Sequence, residues 1–358
     1  MGRYGAGSGK TSVNCGECIM EYHGSCLSEI EKKFYLRILD ALRDRLLFVK
    51  AEGITEQKSF SKCLSAVQYD YPELFYVDFG HYTYVRYDDG WEYRPKYLYD
   101  KAETLKKRRK IDEIAQKIVL ELRKMGLSSV YQKCGYIHSY LVRNCTYDEE
   151  ALVDPDKRSV AYTIEGPLLE KTGVCQGIAL AYRLLCRKCE IDAVAVRGVS
   201  LRPGTTAYEG HAWNLIRVGG NAAQIYVTWD MCLTRADWPI RYDYFFLPDI
   251  EMMRDHQYVG YPICRKMDLS YYDRSRSLFR DLQEIEGFIE RVLRDTKHWD
   301  QPGTYHFQFK MTNRKDTEED IKQYVNKLIR KSTNKGYVYT VCTNAPQSVF
   351  VYKIEIKD

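Results

Sequence analysis

The sequence predicts an α+β protein, and three observations carry that expectation. A helix-start signature at residue 28 opens an apolar stripe at helical spacing. A tyrosine-dense stretch at 69–99 then turns to strand character around a hairpin signal. Between about 161 and 229 one helical stripe gives way to several strands, so helices and strands are grouped rather than strictly alternating.

The elements follow in order. Ser28-Glu29-Ile30-Glu31 is a capping box, and Phe34, Ile38, Leu42 and Leu46 recur behind it, which predicts a helix over about 29–47. Tyr69–Tyr99 reads as strand, with Asp88-Asp89-Gly90 as its hairpin turn. Lys101–Met125 and Val130–Val142 read as helices; the run Lys106-Lys107-Arg108-Arg109-Lys110 suits a solvated helix face better than an anion site. Arg241–His256 has short helical and loop character. The tail reads as helix 278–293, strand 305–311, helix 318–331 and strands 337–342 and 349–356. These shifts divide the chain into a leader (1–27), a helical and hairpin region (28–126), a core (127–265) and a small α/β unit (270–358). No internal repeat is visible.

Composition bounds the function. Over 358 residues, 45% are hydrophobic and 29% charged, which excludes a disordered or collagenous chain. A net charge of +5 is too mild to argue for nucleic acid. No apolar run approaches the roughly 20 residues of a membrane helix, so no membrane partner is expected. The first thirty residues lack a secretory-signal pattern, which predicts a cytoplasmic protein whose 12 cysteines are reduced thiols; Cys186 and Cys189 read as small buried hydrophobes. The 31 tyrosines suit half-exposed sheet faces and clefts.

Two N-terminal patterns imitate sites. Gly5-Ala6-Gly7-Ser8-Gly9-Lys10-Thr11 resembles a phosphate loop, but Tyr4 stands where the first glycine is required and no strand precedes it. Cys15, Cys18, His23 and Cys26 supply four soft ligands at a spacing that matches no zinc pattern. Neither calls for a cofactor or a metal.

The chemistry is concentrated further on. Val174-Cys175-Gln176-Gly177 runs into Ile178, Leu180, Ala181, Leu184 and Leu185, so Cys175 opens a helix. The positive end of that helix favours thiolate, and the flanking Gly173 and Gly177 would admit a substrate backbone. Gly210-His211-Ala212-Trp213-Asn214 begins a strand whose partner, Ala222–Trp229, follows a turn at Gly219-Gly220-Asn221. A thiol before a helix and an imidazole on a strand are the layout of a nucleophile and its base.

These residues resemble the transglutaminase-like superfamily in its bacterial branch. The resemblance rests on Val174–Gly177, His211–Asn214 and Val227-Thr228-Trp229-Asp230. It is supported by Asp70–Tyr76, Ile137–Leu141, Tyr242–Phe246 and His256, and spans about 28–260. It implies a papain-like transglutaminase core, in which a helix with an N-terminal Cys packs on an antiparallel sheet, and a Cys-His-Asp triad that transfers an acyl group from a peptide or protein amide.

One position departs from that pattern. Counted from His211, the triad Asp is replaced by Tyr226. A phenol can accept a hydrogen bond but cannot stabilise an imidazolium as a carboxylate does, and losing that charge costs about 10⁴ in a serine protease. If Gly219-Gly220 form the turn, His211 lies opposite Thr228, with Tyr226 and Asp230 as diagonal neighbours roughly 7–8 Å away. If Gly220-Asn221 do, Asp230 lies directly opposite. Asp230, Tyr226 or water could then orient His211, or the chain is a pseudoenzyme that binds a peptide in the same cleft. By strand periodicity Trp213 shares the face of His211 and could line the cleft beside Gln176, whereas Trp229 faces the core. His138 and His256 read as hydrogen-bonded structural histidines.

Overall fold

The computed structural model describes residues 21–154, 158–202, 204–227, 238–295, 299, 301–312 and 315–357. The glycine-rich run and Cys15 and Cys18 lie outside them, as do Thr228, Trp229 and Asp230. Ser28 caps α1 (Glu29–Asp44), accepting from the Glu31 amide while the Glu31 carboxylate accepts from the Ser28 amide. Strand β1 (Val49–Glu52) leads to α2 (Gln57–Asp70), and β2 (Thr83–Tyr87) and β3 (Gly90–Arg94) form the hairpin. They make a three-stranded sheet in the order β1-β3-β2. Residues 69 and 70 thus end a helix rather than begin a strand. Tyr69 is buried there against His23 and Gln176, and burial outweighs the strand preference of tyrosine.

Helices α3 (Lys101–Lys124) and α4 (Val130–Asn144) follow, and then α5 (Cys175–Lys188). Every residue of α5 from Gly177 to Cys186 is buried, as expected of a helix enclosed on all sides. It packs on α4 and on strands β4 (Ala193–Leu201) and β5 (Tyr208–Val218). With β6 (Asn221–Ile225), β7 (Phe245–Leu247) and β8 (His256–Gln257), these form a five-stranded antiparallel sheet in the order β8-β4-β5-β6-β7. A helix opening on Cys175 and packed on an antiparallel sheet is the expected α+β core.

Pairing runs from Val218↔Asn221 to Asn214↔Ile225, so Gly219-Gly220 is the two-residue turn. Both glycines are left-handed, with φ of 51° and 80°, as a type I′ hairpin requires. One apolar cluster runs from Leu27 on the α1 side to Leu269 and includes both α1 and α5.

The tail folds as β9 (Leu278–Phe279), α6 (Leu282–Asp295), β10 (Gly303–Met311), α7 (Glu318–Ser332), β11 (Tyr337–Asn344) and β12 (Val349–Ile356), with sheet order β9-β10-β12-β11. Two helices on this sheet enclose a second apolar cluster, including Ile289, Phe309, Val325 and Tyr352. No described helix is long and apolar enough to cross a membrane.

Candidate active site

Cys175 is the first residue of α5, preceded by an extended Val174. A two-residue parallel bridge, Thr146↔Thr172 and Tyr147↔Gly173, brings Tyr147 alongside the segment that delivers the thiol. The sulfur meets the Tyr147 hydroxyl and the amide N–H groups of Ala212 and Gln176. The Tyr147 hydroxyl also meets the Cys175 amide. Since Ala212 follows His211 on β5, the start of α5 and the strand bearing the imidazole converge on one point.

The helix start does not make a resting thiolate. Burial pushes the Cys175 thiol above its ordinary value, and Glu209 adds to the rise. The Ala212, Tyr147 and Gln176 donors offset this only in part. Burial, and then the neighbouring His256, hold the His211 imidazole well below the usual histidine range. Thiol and imidazole therefore rest neutral. Alkylation of Cys175 by iodoacetamide is accordingly expected to accelerate only above the free-cysteine value of about 8.5, with no plateau at neutral pH. Peptide mass spectrometry across pH 5–10 checks this, and a neutral plateau would show a resting ion pair instead.

Glycines 173 and 177 serve the fold rather than a substrate. A Cβ at Gly177 would stand 2.2 Å from the Ala161 carbonyl oxygen, and one at Gly173 would stand 2.8 Å from the Pro167 ring. The chain's own backbone fills the space that the sequence suggested for a ligand. Gln176 is tied on both ends: its Oε1 accepts from the Tyr69 hydroxyl at 3.0 Å and its Nε2 donates to the Tyr162 carbonyl at 3.2 Å. It lines a cavity of about 220 Å³ together with Asp78, Phe79, His81 and Tyr162.

The third member is not where the triad pattern would put it. Tyr226 meets His211 edge-on, with ring centroids 4.5 Å apart and planes at 87°. The His211 Nε2 atom is buried and has no hydrogen-bond partner among the described residues, so Tyr226 touches it as a ring. Asp230 lies outside the described residues. Trp213 does share the His211 face, stacked at 6.0 Å and 28°. It is only 1% exposed, however, and donates its Nε1–H to Gln224, so it is core rather than cleft lining.

Residues 113–229 match the family model described as Transglutaminase-like superfamily. Over that stretch, which holds both Cys175 and His211, the chain is similar to the transglutaminase-like superfamily. Two solved structures are similar. One is described as a TGase (14% identity, TM-score 0.29), with 41% of this chain and 44% of that one covered. The other is described as a putative cysteine protease from Cytophaga hutchinsonii (16% identity, TM-score 0.27), with 41% of this chain and 61% of that one covered. The chain thus spans about half the length of these structures. No curated protein matches the chain by sequence.

Beside the Cys175–His211 pair stands one group that no local sequence pattern marked, Tyr147, and two histidines that were marked take definite places. Tyr147 precedes Cys175 by 28 positions, and only the parallel bridge reveals it. His256 is buried, and its Nδ1 lies 2.7 Å from Asp255 Oδ1. His138 is not hydrogen-bonded among the described residues, where both of its buried ring nitrogens lack partners. The ring stacks on Tyr242 at 5.3 Å, and burial lowers its pKa to about 3.

Two of the four N-terminal ligands, Cys15 and Cys18, lie outside the described residues, and among the described ones no group of three or more His, Cys, Asp or Glu side chains could hold a metal ion. His23 Nε2 bonds the Ala195 carbonyl at 2.8 Å, and Cys26 is exposed.

Proposed function

We propose that the site performs cysteine-dependent acyl transfer on a peptide or protein amide, ending in hydrolysis or in transfer to an amine. The observation that carries this reading is the Cys175 sulfur lying against the Ala212 amide, next to His211, with a hydroxyl and a helix-start amide beside it. The match of residues 113–229 to a transglutaminase-like family model supports it.

The chemistry starts from a neutral pair. As Cys175 Sγ attacks the carbonyl, its proton passes to His211, which later returns that proton to the departing amine. The Cys175 amide N–H and the Tyr147 hydroxyl are placed to hold the developing oxyanion. Water or an amine then attacks the thioester with His211 again as base.

A second reading is favoured by the raised thiol and the unpartnered Nε2: the cleft binds a peptide without turning it over. The test is mass-spectrometric trapping of a thioester on Cys175 with an activated peptide ester. Loss of one oxyanion donor costs about 10²–10³ in other hydrolases, so Tyr147→Phe should slow adduct formation by about 10². No adduct on Cys175, or an unchanged rate in Tyr147→Phe, would overturn the respective assignment.

A further inference from the structure

Two buried ring nitrogens in this site lack partners among the described residues, and their rings are neighbours. They are Nε2 of His211 and Nε2 of His256. The ring centroids are 5.4 Å apart with planes at 53°. Leaving a buried polar atom unsatisfied is costly, so a donor on one ring and an acceptor on the other would relieve both.

The strand order explains how they meet. His256 on β8 pairs with Ser200 on β4, and Gly198 of β4 pairs with His211 on β5. A Cβ at Gly198 would come 2.5 Å from the Trp213 ring and 2.4 Å from the Gln257 carbonyl oxygen. Glycine there lets His211, Trp213 and His256 close on one another. Trp213 lies 5.0 Å from the His256 ring, Tyr244 5.2 Å and Tyr226 5.8 Å, so an aromatic wall surrounds it.

The tautomers follow from Asp255. A carboxylate only accepts, so His256 donates Nδ1–H to Asp255 Oδ1 at 2.7 Å and its Nε2 carries a lone pair. His211 must then supply the proton between the rings, which leaves its Nδ1 unprotonated. We propose that His256 is the positioning residue for His211, accepting the His211 Nε2–H, so that an Asp255–His256–His211 relay replaces the single carboxylate missing at Tyr226. This rests on the Cys175–His211 reading above. When His211 Nδ1 takes the thiol proton, His256 has to stay neutral, because charge on it would lower the His211 pKa further, and the new charge is faced through it by Asp255. That charge disappears when the leaving amine takes that proton. Catalytic hydrogen bonds are often long at rest and shorten with substrate bound.

The C-terminal unit completes the relay. Asp255 also accepts from the Tyr244 hydroxyl and from Gln347 Nε2 at 3.1 Å, and Asn344 Nδ2 donates to the Tyr244 hydroxyl at 3.0 Å. The C-terminal unit thereby fixes the carboxylate on which the base depends.

The experiment is long-range ¹H–¹⁵N spectroscopy of the full chain labelled at histidine, with kinetics on the same activated peptide ester. The wild type should show His256 as the Nδ1–H tautomer and His211 as the Nε2–H tautomer. Asp255→Leu removes the acceptor at His256 Nδ1, where an Asn would keep its oxygen toward both His256 and Gln347, and should release His256 to Nε2–H and convert His211 to Nδ1–H. Its kcat should fall by 10²–10⁴ with KM little changed, by analogy with loss of the triad carboxylate. His256→Phe removes the acceptor at similar ring size and should shift the His211 signals equally, which keeps the test open if the Leu variant does not fold. A His211 tautomer unmoved by both variants overturns the relay, whatever the activity. Tautomers that switch while no Cys175 thioester forms would uphold the relay and sink the acyl-transfer reading alone.

Discussion

Cys175→Ala is expected to abolish thioester formation and lower turnover by about 10⁶, the scale of nucleophile loss in a comparable enzyme, while the thermal midpoint stays within a few degrees of wild type. The side chain is partly exposed at the first position of α5, and alanine is a good helix former there. His211→Ala should cost nearly as much, and the double variant no more than either single one, because thiol and imidazole act as a unit. Full activity in Cys175→Ala would remove the thiol from the mechanism and leave the cleft as a binding surface. The thermal midpoints of the three variants separate lost chemistry from lost fold.

Local grammar made much of this site legible. The capping box at Ser28, the helix opening at Cys175 and the Gly219-Gly220 hairpin turn involve residues within a few positions of one another, and the structure has each of them. What the sequence did not show is set by contacts across long separations. The Cys175 thiol is raised by burial that the Ala212, Tyr147 and Gln176 donors offset only in part, a desolvation that no helix-start argument contains. The glycines around Cys175 read as room for a ligand, yet Ala161 and Pro167 fill it. Gln57–Asp70, by contrast, is legible locally, since Phe60, Leu64 and Val67 stand at helical spacing. His256 was visible as a residue but not as a neighbour of His211. Only the order β8-β4-β5, with glycine at 198, brings the two imidazoles together.

The largest stability effect is expected at Asp70, which holds the nucleophile helix from its far side. Its carboxylate accepts from the Gly24 amide at 2.8 Å and the Tyr35 hydroxyl at 3.0 Å, and lies 3.5 Å from Arg183 of α5. Arg183 is 3% exposed; it also donates to the Tyr69 carbonyl and, at 3.1 Å, to the Ala193 carbonyl. Burial raises the Asp70 pKa to about 6 despite the guanidinium and lowers that of Arg183, so desolvation outweighs attraction within the pair. Removing one partner should therefore cost more than removing both. Asp70→Ala, which strands the arginine, is expected to lose about 3–5 kcal/mol. Asp70→Ala with Arg183→Met should recover part of that loss, read from urea unfolding midpoints. The pH dependence has a definite sign. A carboxyl whose folded pKa lies above its unfolded value of 3.8 adds stability that is complete below 3.8 and is lost as pH rises through about 6. The wild type's advantage over Asp70→Asn, which cannot take up that proton, should thus grow by up to about 3 kcal/mol between pH 7 and pH 4. An advantage that shrinks on acidification would mean that Asp70 is held as a carboxylate by Arg183, and that the pair is a net source of stability for α5.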